Sequence, residues 1–160
     1  MWAKNYPTSI WHHGYVGAFS IPRELVIKDN DIYQRPVQEL EKYTNVVNQE
    51  YLPRQADISM KMVQGSFLTI KGDNGHISIG NNNGVYLDNT HGNGMFDCVR
   101  KTNGNYDNAN VRILLDTSSI ELFIEDGKEV ISTRFYIDGN LSLITSIGVE
   151  DIVVKEVKVK

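Results

Sequence analysis

The amino-acid sequence predicts an all-β protein, an antiparallel β-sandwich with one short helix. Apolar and polar residues alternate in many short runs, which is the pattern of half-buried strands. From residue 56 onward, about ten such runs are separated by turn residues at intervals of about 8–12 residues, a spacing typical of antiparallel sandwiches. Only residues 36–43 favour a helix, because Pro36 suits a first helical position and Glu39 and Glu41 suit the first turns.

The predicted strands follow one another along the chain with clear turn signals between them. Pro22 prevents residues 15–28 from forming one unbroken central strand, because proline donates no hydrogen bond to a ladder. Residues 29–31 form a predicted turn, and Gly72-Asp73-Asn74-Gly75 is a strong hairpin signal. The predicted strands are residues 15–20, 24–28, 32–34, 58–62, 67–71, 76–79, 85–87, 95–99, 111–115, 120–124, 130–137, 141–147 and 152–159.

The most informative stretch is Asp116–Gly127, which we call the signature hairpin. Ile120, Leu122 and Ile124 alternate with Glu121, Phe123 and Glu125, so the first three are predicted to face the core and the others solvent. The sequence Glu-Asp-Gly at residues 125–127 then supplies the turn into the next strand.

Composition limits the classes of function that the chain can have. Its 160 residues suffice for one domain with a real core, and 41% hydrophobic with 22% charged residues is ordinary for a globular protein. The net charge is −4 without a basic patch, which argues against a nucleic-acid partner. No apolar run approaches the ~18 residues of a membrane span. Cys98 is the only cysteine, so an internal disulfide is impossible.

The signature hairpin and the stretch Ser20–Leu25 together carry a family resemblance. The hairpin reads Asp-Thr-Ser-Ser-Ile-Glu-Leu-Phe-Ile-Glu-Asp-Gly, and the earlier stretch reads Ser-Ile-Pro-Arg-Glu-Leu. The hairpin resembles a C-terminal signature of glycoside hydrolase family 32, the invertases, levanases and sucrose-6-phosphate hydrolases. The earlier stretch resembles the join between that family's catalytic propeller and its C-terminal sandwich. Flanking residues that agree are Pro7, Thr8, Trp11, Gln34, Pro36, Glu39 and Leu40.

The resemblance implies a division of the chain. Residues 1–30 would be a remnant of the last propeller blade, residues 31–45 a linker with the short helix, and residues 46–160 a jelly-roll or concanavalin-like C-terminal sandwich. A complete propeller cannot fit, because one blade needs ~40 residues and five blades need ~200.

The family's catalytic motifs are absent from this sequence. A retaining glycosidase needs two carboxyl groups ~5 Å apart. The family supplies its carboxylates from W-x-N-D-P-N-G, R-D-P and E-C motifs. All four prolines here follow residues other than aspartate, and Cys98 follows Asp97 rather than glutamate. We therefore predict no catalytic residue and no activity for the chain alone.

The resemblance implies structural roles for the signature residues and one contact to substrate. Arg23 and Glu24 are expected to form hydrogen bonds between propeller and sandwich, while Asp116 and Glu121 cap a turn or pair with an arginine. Trp2 resembles a tryptophan near the family's active-site funnel, and it is the one candidate for substrate binding, although simple packing is the favoured interpretation. The residues given structural roles are Pro22, Arg23, Glu24, Asp116, Ser118, Ser119, Glu121 and Phe123.

No metal or cofactor site is predicted. The four histidines lack the spacing of metal ligands, and Cys98 has no C-x-x-C partner. Residues 29–31 begin like a calcium loop, but Gln34 and Leu40 stand where glycine and glutamate are needed.

Three functions stay open at this point. The first is a non-catalytic module that buttresses a propeller, with fructose-containing sugars as the parent enzyme's substrates and self-association through bare packing surface. The second is a stand-alone carbohydrate-binding, lectin-like module. The third is an enzyme with a new site on the sandwich. The single cysteine and the lack of a leader favour the bacterial cytoplasm over secretion.

Overall fold

The computed structural model describes residues 19–48, 52–93 and 99–158. Within these residues the chain forms strands and one short 3₁₀ helix, Gln38–Tyr43. The strands are β1 Arg23–Lys28, β2 Asp31–Pro36, β3 Thr44–Val46, β4 Ala56–Val63, β5 Phe67–Lys71, β6 His76–Asn81, β7 Val85–Asp88, β8 Val99–Lys101, β9 Asn108–Asp116, β10 Ser119–Ile124, β11 Glu129–Arg134, β12 Ser142–Thr145 and β13 Val149–Val157.

Two antiparallel sheets form the sandwich. The first has six strands in the order β11-β10-β9-β4-β13-β3, and the second has five in the order β12-β5-β6-β7-β8. Strands β1 and β2 form a separate two-stranded hairpin that lies outside the sandwich. The predicted all-β, antiparallel sandwich with one short helix is therefore confirmed.

The core lies between the two sheets and follows the alternation in the sequence. Ile58 and Met62 of β4, Ile70 of β5 and Ile79 of β6 are all fully buried there. Removing one such side chain from water contributes about 1.5–3 kcal/mol, so the inward-facing rows supply most of the driving force for folding.

The turn of the β1–β2 hairpin is formed by two polar residues with positive φ angles. Lys28 pairs with Asp31, which leaves a two-residue connection of Asp29 and Asn30. Their φ angles are 52° and 65°, values that asparagine and aspartate tolerate better than most residues. The predicted hairpin around Gly72–Gly75 is also present, between β5 and β6.

The helix differs from the prediction in its start and its type. Pro36 lies at the end of β2, opposite Arg23, and Val37 is still extended with ψ 141°. The residue before a proline is pushed to extended conformations, so the strand continues through Arg35 into Pro36. The remaining six residues form a 3₁₀ helix without a side-chain cap, because so short a segment gains little from α-helical hydrogen bonds.

Several other strands differ from the sequence prediction in extent. Strand β3 was not predicted, and strand β13 begins three residues earlier than expected, at Val149. The predicted strand at residues 15–20 falls almost wholly outside the described residues, as do residues 95–98 of another.

The proposed division of the chain at residues 30 and 45 stays a prediction. No helix in the described ranges is long and apolar enough to cross a membrane.

Strand β10 corrects the prediction for the signature hairpin. Ile120, Leu122 and Ile124 face the core as expected, and all three are fully buried. Glu121 and Phe123 were predicted to face solvent, yet each is only 2% exposed. The outer face of β10 is therefore covered by another part of the chain.

We expect Leu122→Asp to unfold the sandwich, because it places an unpaired charge in the core. Ile144→Asp is the matched control, since Ile144 lies on edge strand β12 and is 49% exposed. Thermal unfolding followed by circular dichroism measures both variants. If Leu122→Asp melted like the parent protein, the assignment of this face to the core would be wrong.

Candidate functional site

The β1–β2 hairpin is attached to the outer face of β10 through Arg23. One terminal nitrogen of its guanidinium, Nη2, pairs with the Glu121 carboxylate and donates to Ser132 Oγ at 2.9 Å. The other, Nη1, donates to Gln34 Oε1 at 2.8 Å. The guanidinium carbon also lies 5.3 Å from the centre of the Phe123 ring, a cation–π distance. This set of interactions, which we call the Arg23 contact, explains why Glu121 and Phe123 are buried.

The Glu121 carboxylate also holds the backbone that leads into β1. Its second oxygen accepts a hydrogen bond from the Ile21 amide at 2.8 Å. The Glu121 side chain is 3% exposed and that of Arg23 is 19% exposed. A carboxylate this deeply buried needs all of these partners, because an unpaired buried charge is strongly destabilising.

Gly127 forms a second attachment point at the turn after β10. Its carbonyl accepts a hydrogen bond from the Gln34 amide at 2.9 Å. Gly127 has φ +85°, and a Cβ at this position would overlap the Gln34 carbonyl group. Glycine is therefore required here both by the turn and by the close approach of β2.

Two exposed ion pairs flank these attachments. Arg35 pairs with Asp126, and Lys128 pairs with Asp31 at 2.8 Å. Water screens such surface pairs, and each typically contributes less than about 1 kcal/mol. They orient the hairpin more than they stabilise it.

The 3₁₀ helix is attached to the same sheet face through Arg112 of β9. Its Nε and Nη2 donate to the two oxygens of Asp57 at 2.9 and 2.7 Å, and Nη2 also donates to Glu41 at 2.7 Å. A hydrogen bond from Lys155, opposed by burial and aided by the charge of Arg112, lowers the pKa of Glu41. Charge therefore supplies the side-chain hydrogen bonds that fix the helix, and Leu40 is its half-buried apolar residue.

A groove with a volume of about 490 Å³ separates the hairpin and helix from the sheet. Glu24 and Arg35 line its hairpin side, Glu41 its helix side, and Asn110 and Arg112 its sheet side. Both arginines of this lining are paired with carboxylates, and the lining carries three carboxylates, on Glu24, Glu41 and Asp126, against these two arginines.

The hairpin carries an exposed apolar surface, which we call the hairpin face. Leu25 and Ile27 of β1 are 70% and 79% exposed, and Ile32 of β2 is 60% exposed. Ile27 and Ile32 are directly opposite one another in the register, so the three side chains form one patch. Contiguous exposed apolar patches are common where proteins dock, so the hairpin face is a candidate docking surface.

Of the remaining signature residues, Asp116 and Ser118 lie at the β9–β10 turn, and Pro22 directly precedes β1. Asp116 Oδ1 accepts from the Thr117 amide at 2.7 Å, which caps the β9–β10 turn. Ser118 accepts hydrogen bonds from Arg134 through its carbonyl and its hydroxyl, both at 3.1 Å. The Pro22 carbonyl accepts from the Val37 amide at 3.1 Å.

Three further predicted residues also lie outside the Arg23 contact. Ser119 begins β10 and is half-buried, whereas Glu24 is exposed and lines the groove. Trp2 lies outside the described residues. The functional roles predicted for all the signature residues stay predictions.

A separate cluster near the hairpin tip is built on Glu129. Its carboxylate accepts from the amides of Asn103 and Gly104 at 2.7 and 2.9 Å and from the Tyr106 hydroxyl at 2.7 Å. Burial opposes ionisation, but these hydrogen bonds outweigh it and lower the pKa of Glu129. Across the three described ranges, no three His, Cys, Asp or Glu side chains are grouped to hold a metal ion.

Sequence reasoning assigned no part in this attachment to three of its residues, although Gln34 and Gly127 belong to the stretches that carry the family resemblance. Gln34, Ser132 and Gly127 take part in the attachment but lie 11, 109 and 104 positions from Arg23 along the chain. Ordinary serine and glutamine residues in strands give no local signal of such contacts. The unusual Glu and Phe on one strand face were the only available indication.

Comparison with known proteins assigns the chain to a family. The family described as "Glycosyl hydrolases family 32 C terminal" matches residues 38–160. The chain belongs to glycoside hydrolase family 32, and the matched residues form its C-terminal domain.

Individual relatives agree with this assignment. A sucrose-6-phosphate hydrolase of Vibrio alginolyticus is 30% identical over 151 residues, which is 86% of this chain and 31% of the relative. One of Escherichia coli is 27% identical over 173 residues, or 93% and 35%. A solved Bombyx mori β-fructofuranosidase, BmSUC1, shares the fold with a TM-score of 0.73 at 20% identity, covering 92% of this chain and 34% of that protein. The chain thus spans about a third of the length of these relatives.

We expect Glu121→Gln to lower the free energy of unfolding by about 3 kcal/mol, because it leaves Arg23 without its buried counter-charge. Asp126→Asn breaks an ion pair whose carboxylate is 63% exposed, and should cost less than about 1 kcal/mol. Urea unfolding monitored by circular dichroism measures both. Equal effects of the two substitutions would show that the Arg23 contact is not the main attachment.

Glu129 should make a pH-dependent contribution to stability. Its folded-state pKa is below the usual 4.5, so its contribution is present above about that pH and is lost as the pH falls through the lower folded value. Glu129→Gln should therefore lower the free energy of unfolding by about 1 kcal/mol at neutral pH, with the difference shrinking in acid. Urea titrations across this range test it, with Glu24→Gln as the exposed control. A difference that persisted unchanged in acid would contradict the assignment.

Proposed function

We propose that this chain is the non-catalytic C-terminal module of a β-fructoside-cleaving enzyme and that it buttresses the catalytic propeller. The observation that carries the proposal is the hairpin face, three exposed aliphatic side chains on a hairpin that is itself fixed to the sandwich. A face that is both apolar and held in place by a buried ion pair is suited to permanent contact with another domain.

The names of the relatives support a proposal for the parent enzyme's substrates. Two of them are named sucrose-6-phosphate hydrolase and a third raffinose invertase, so we assign the parent enzyme to β-fructosides such as sucrose, sucrose 6-phosphate or fructan. The chain itself lacks the family's three carboxylate motifs. We therefore assign hydrolysis to the propeller and none of it to the sandwich. The single cysteine fits a reducing compartment, and we place the parent enzyme in the bacterial cytoplasm.

The arrangement of attachments supports a buttress in particular. The Arg23 contact holds one end of the hairpin and Gly127 a second point on β2. The hairpin therefore cannot pivot freely on the sandwich, and a domain docked on Leu25 and Ile27 would keep a fixed orientation. Without a propeller the same face is open to a second copy of the chain, and we propose weak self-association through it.

Carbohydrate binding by the module is the second candidate, and the groove beside Arg35 is the observation that favours it. Its volume of about 490 Å³ is in the range of small-molecule sites. Phe123 is its one aromatic residue, but that ring is 2% exposed and offers no stacking platform. A nuclear magnetic resonance titration with sucrose and levan oligosaccharides tests whether the groove binds sugar. Unmoved amide signals of Asn110 and Arg112 at millimolar sugar would exclude this function.

The buttress is tested in a chimera in which this chain replaces the C-terminal third of the Escherichia coli sucrose-6-phosphate hydrolase. Ile27→Asp should lower the chimera's stability by about 2 kcal/mol and reduce hydrolysis of sucrose 6-phosphate, because a docked aliphatic residue is lost. In the isolated chain the same substitution should leave the melting temperature unchanged, since Ile27 is 79% exposed.

Ile144→Asp is the control in both proteins, because Ile144 is an exposed aliphatic residue of the other sheet. It should leave the chimera and the isolated chain unaffected. A chimera that tolerated Ile27→Asp as well as Ile144→Asp would exclude the hairpin face as the docking surface.

A further inference from the structure

Asn-Gly pairs recur in this chain and are sites of spontaneous chemistry. They occur at Asn74, Asn83, Asn93 and Asn103. In such a pair the backbone nitrogen of the glycine can reach the asparagine side-chain carbonyl carbon, because glycine has no Cβ to shield its nitrogen. The glycine after Asn93 lies outside the described residues. The other three pairs differ in the hydrogen bonds that hold the asparagine side chain and the glycine amide.

Asn74 is held at both ends of its side-chain amide. Its Nδ2 donates to Asp138 Oδ2 at 2.7 Å, and its Oδ1 accepts from the Asp138 backbone amide at 2.8 Å. Its carbonyl carbon cannot rotate towards the Gly75 nitrogen unless both hydrogen bonds break. The pair is therefore protected.

In the Asn103 pair the protected group is the nucleophile, the backbone nitrogen of Gly104. The Gly104 amide donates to Glu129 Oε1 at 2.9 Å, and the Asn103 amide donates to Glu129 Oε2 at 2.7 Å. An amide must lose its proton to attack, and this loss is disfavoured here because it would break a charge-assisted hydrogen bond and leave an anion beside the Glu129 carboxylate.

Asn83 has neither form of protection among the described residues. Its side chain is exposed, and its Oδ1 accepts one long hydrogen bond, 3.3 Å, from Gln64 Nε2. No hydrogen bond of the described residues engages its Nδ2, the nitrogen that must leave. The Gln64 amide points at the oxygen on which negative charge develops during attack, and a donor in that place favours the reaction.

We propose that Asn83 is a deamidation site and the fastest of these three pairs. The Gly84 nitrogen loses its proton to solvent base and bonds to the Asn83 Cγ, and the Cγ–Nδ2 bond breaks so that ammonia leaves. Water then opens the resulting cyclic imide at either carbonyl. The products are aspartate or isoaspartate at position 83, and no oxidant or enzyme is needed.

The modification has a defined consequence for the fold. Gly84 has φ +116°, and a Cβ there would lie 2.8 Å from the Gly104 carbonyl oxygen and 2.9 Å from Thr102 Oγ1. The Thr102 hydroxyl in turn accepts from the Val85 amide at 3.0 Å. Isoaspartate adds a backbone methylene directly before this crowded glycine. It should therefore loosen the contact between the β6–β7 turn and residues 102–104.

The 160-residue chain, incubated for several weeks at mildly alkaline pH, is digested and analysed by liquid chromatography and mass spectrometry. The Asn83 peptide should gain about 1 Da, as a side-chain amide becomes a carboxyl group. It should do so about tenfold faster than the Asn103 peptide, since the Gly104 amide must first leave a charged acceptor. Deamidation of Asn74 or Asn103 at the rate of Asn83 or faster would overturn the proposal.

Glu129→Ala tests the reason for the difference. It removes the acceptor of the Gly104 amide and should raise the Asn103 rate towards that of Asn83, while Asn74 stays slow. Circular dichroism checks that this variant is folded. Peptides from the digested chain, which lack the fold, give the reference deamidation rates, and in them all three pairs should react at similar rates. If Asn83 reacted no faster than Asn74 in the folded chain, the proposal would be wrong whether or not the variant folds.

Discussion

The contact between Arg23 and Glu121 is the interaction on which the organisation of this protein depends. It joins residues nearly a hundred positions apart and converts one face of β10 from a solvent face into an interior one. The sandwich core does not need it, because that core lies on the other face of the strand. The position of the hairpin does need it, since Arg23 joins β1 and β2 to β10 and β11 through one guanidinium. The side chains that fill the core and those that place the hairpin therefore lie on opposite faces of the same strand.

Much of the fold could be predicted from sequence because alternation reports directly on burial. The inward rows of β4, β5 and β6 read as alternating apolar residues, and they are the core. The prediction went wrong where burial came from tertiary contacts. Glu121 is a charged residue and gives a solvent-facing signal by itself. Only the arginine brought by β1 makes its burial tolerable, and no local pattern encodes that pairing.

The helix and the hairpin show a second limit of local reasoning. Pro36 fits a helix start and also fits the end of an exposed edge strand, and the sequence pattern does not distinguish these. The structure selects the strand because Pro36 lies opposite Arg23 and is buried. The short segment that follows is held by Arg112 and Lys155 rather than by helical propensity. Its charges were visible in the sequence, but their partners on β9 and β13 were not.

A buried ion pair is a poor source of stability but a good source of orientation. Desolvation of the two charges offsets much of their attraction, and an apolar pair could stabilise the hairpin equally well. An apolar pair, however, would tolerate sliding and rotation. The planar guanidinium of Arg23 requires three acceptors, on Glu121, Ser132 and Gln34, in set directions. Arg23, Leu25 and Ile27 are alternate residues of β1 and share one side of the hairpin, so these directions also fix the placement of Leu25 and Ile27 beside the polar contact.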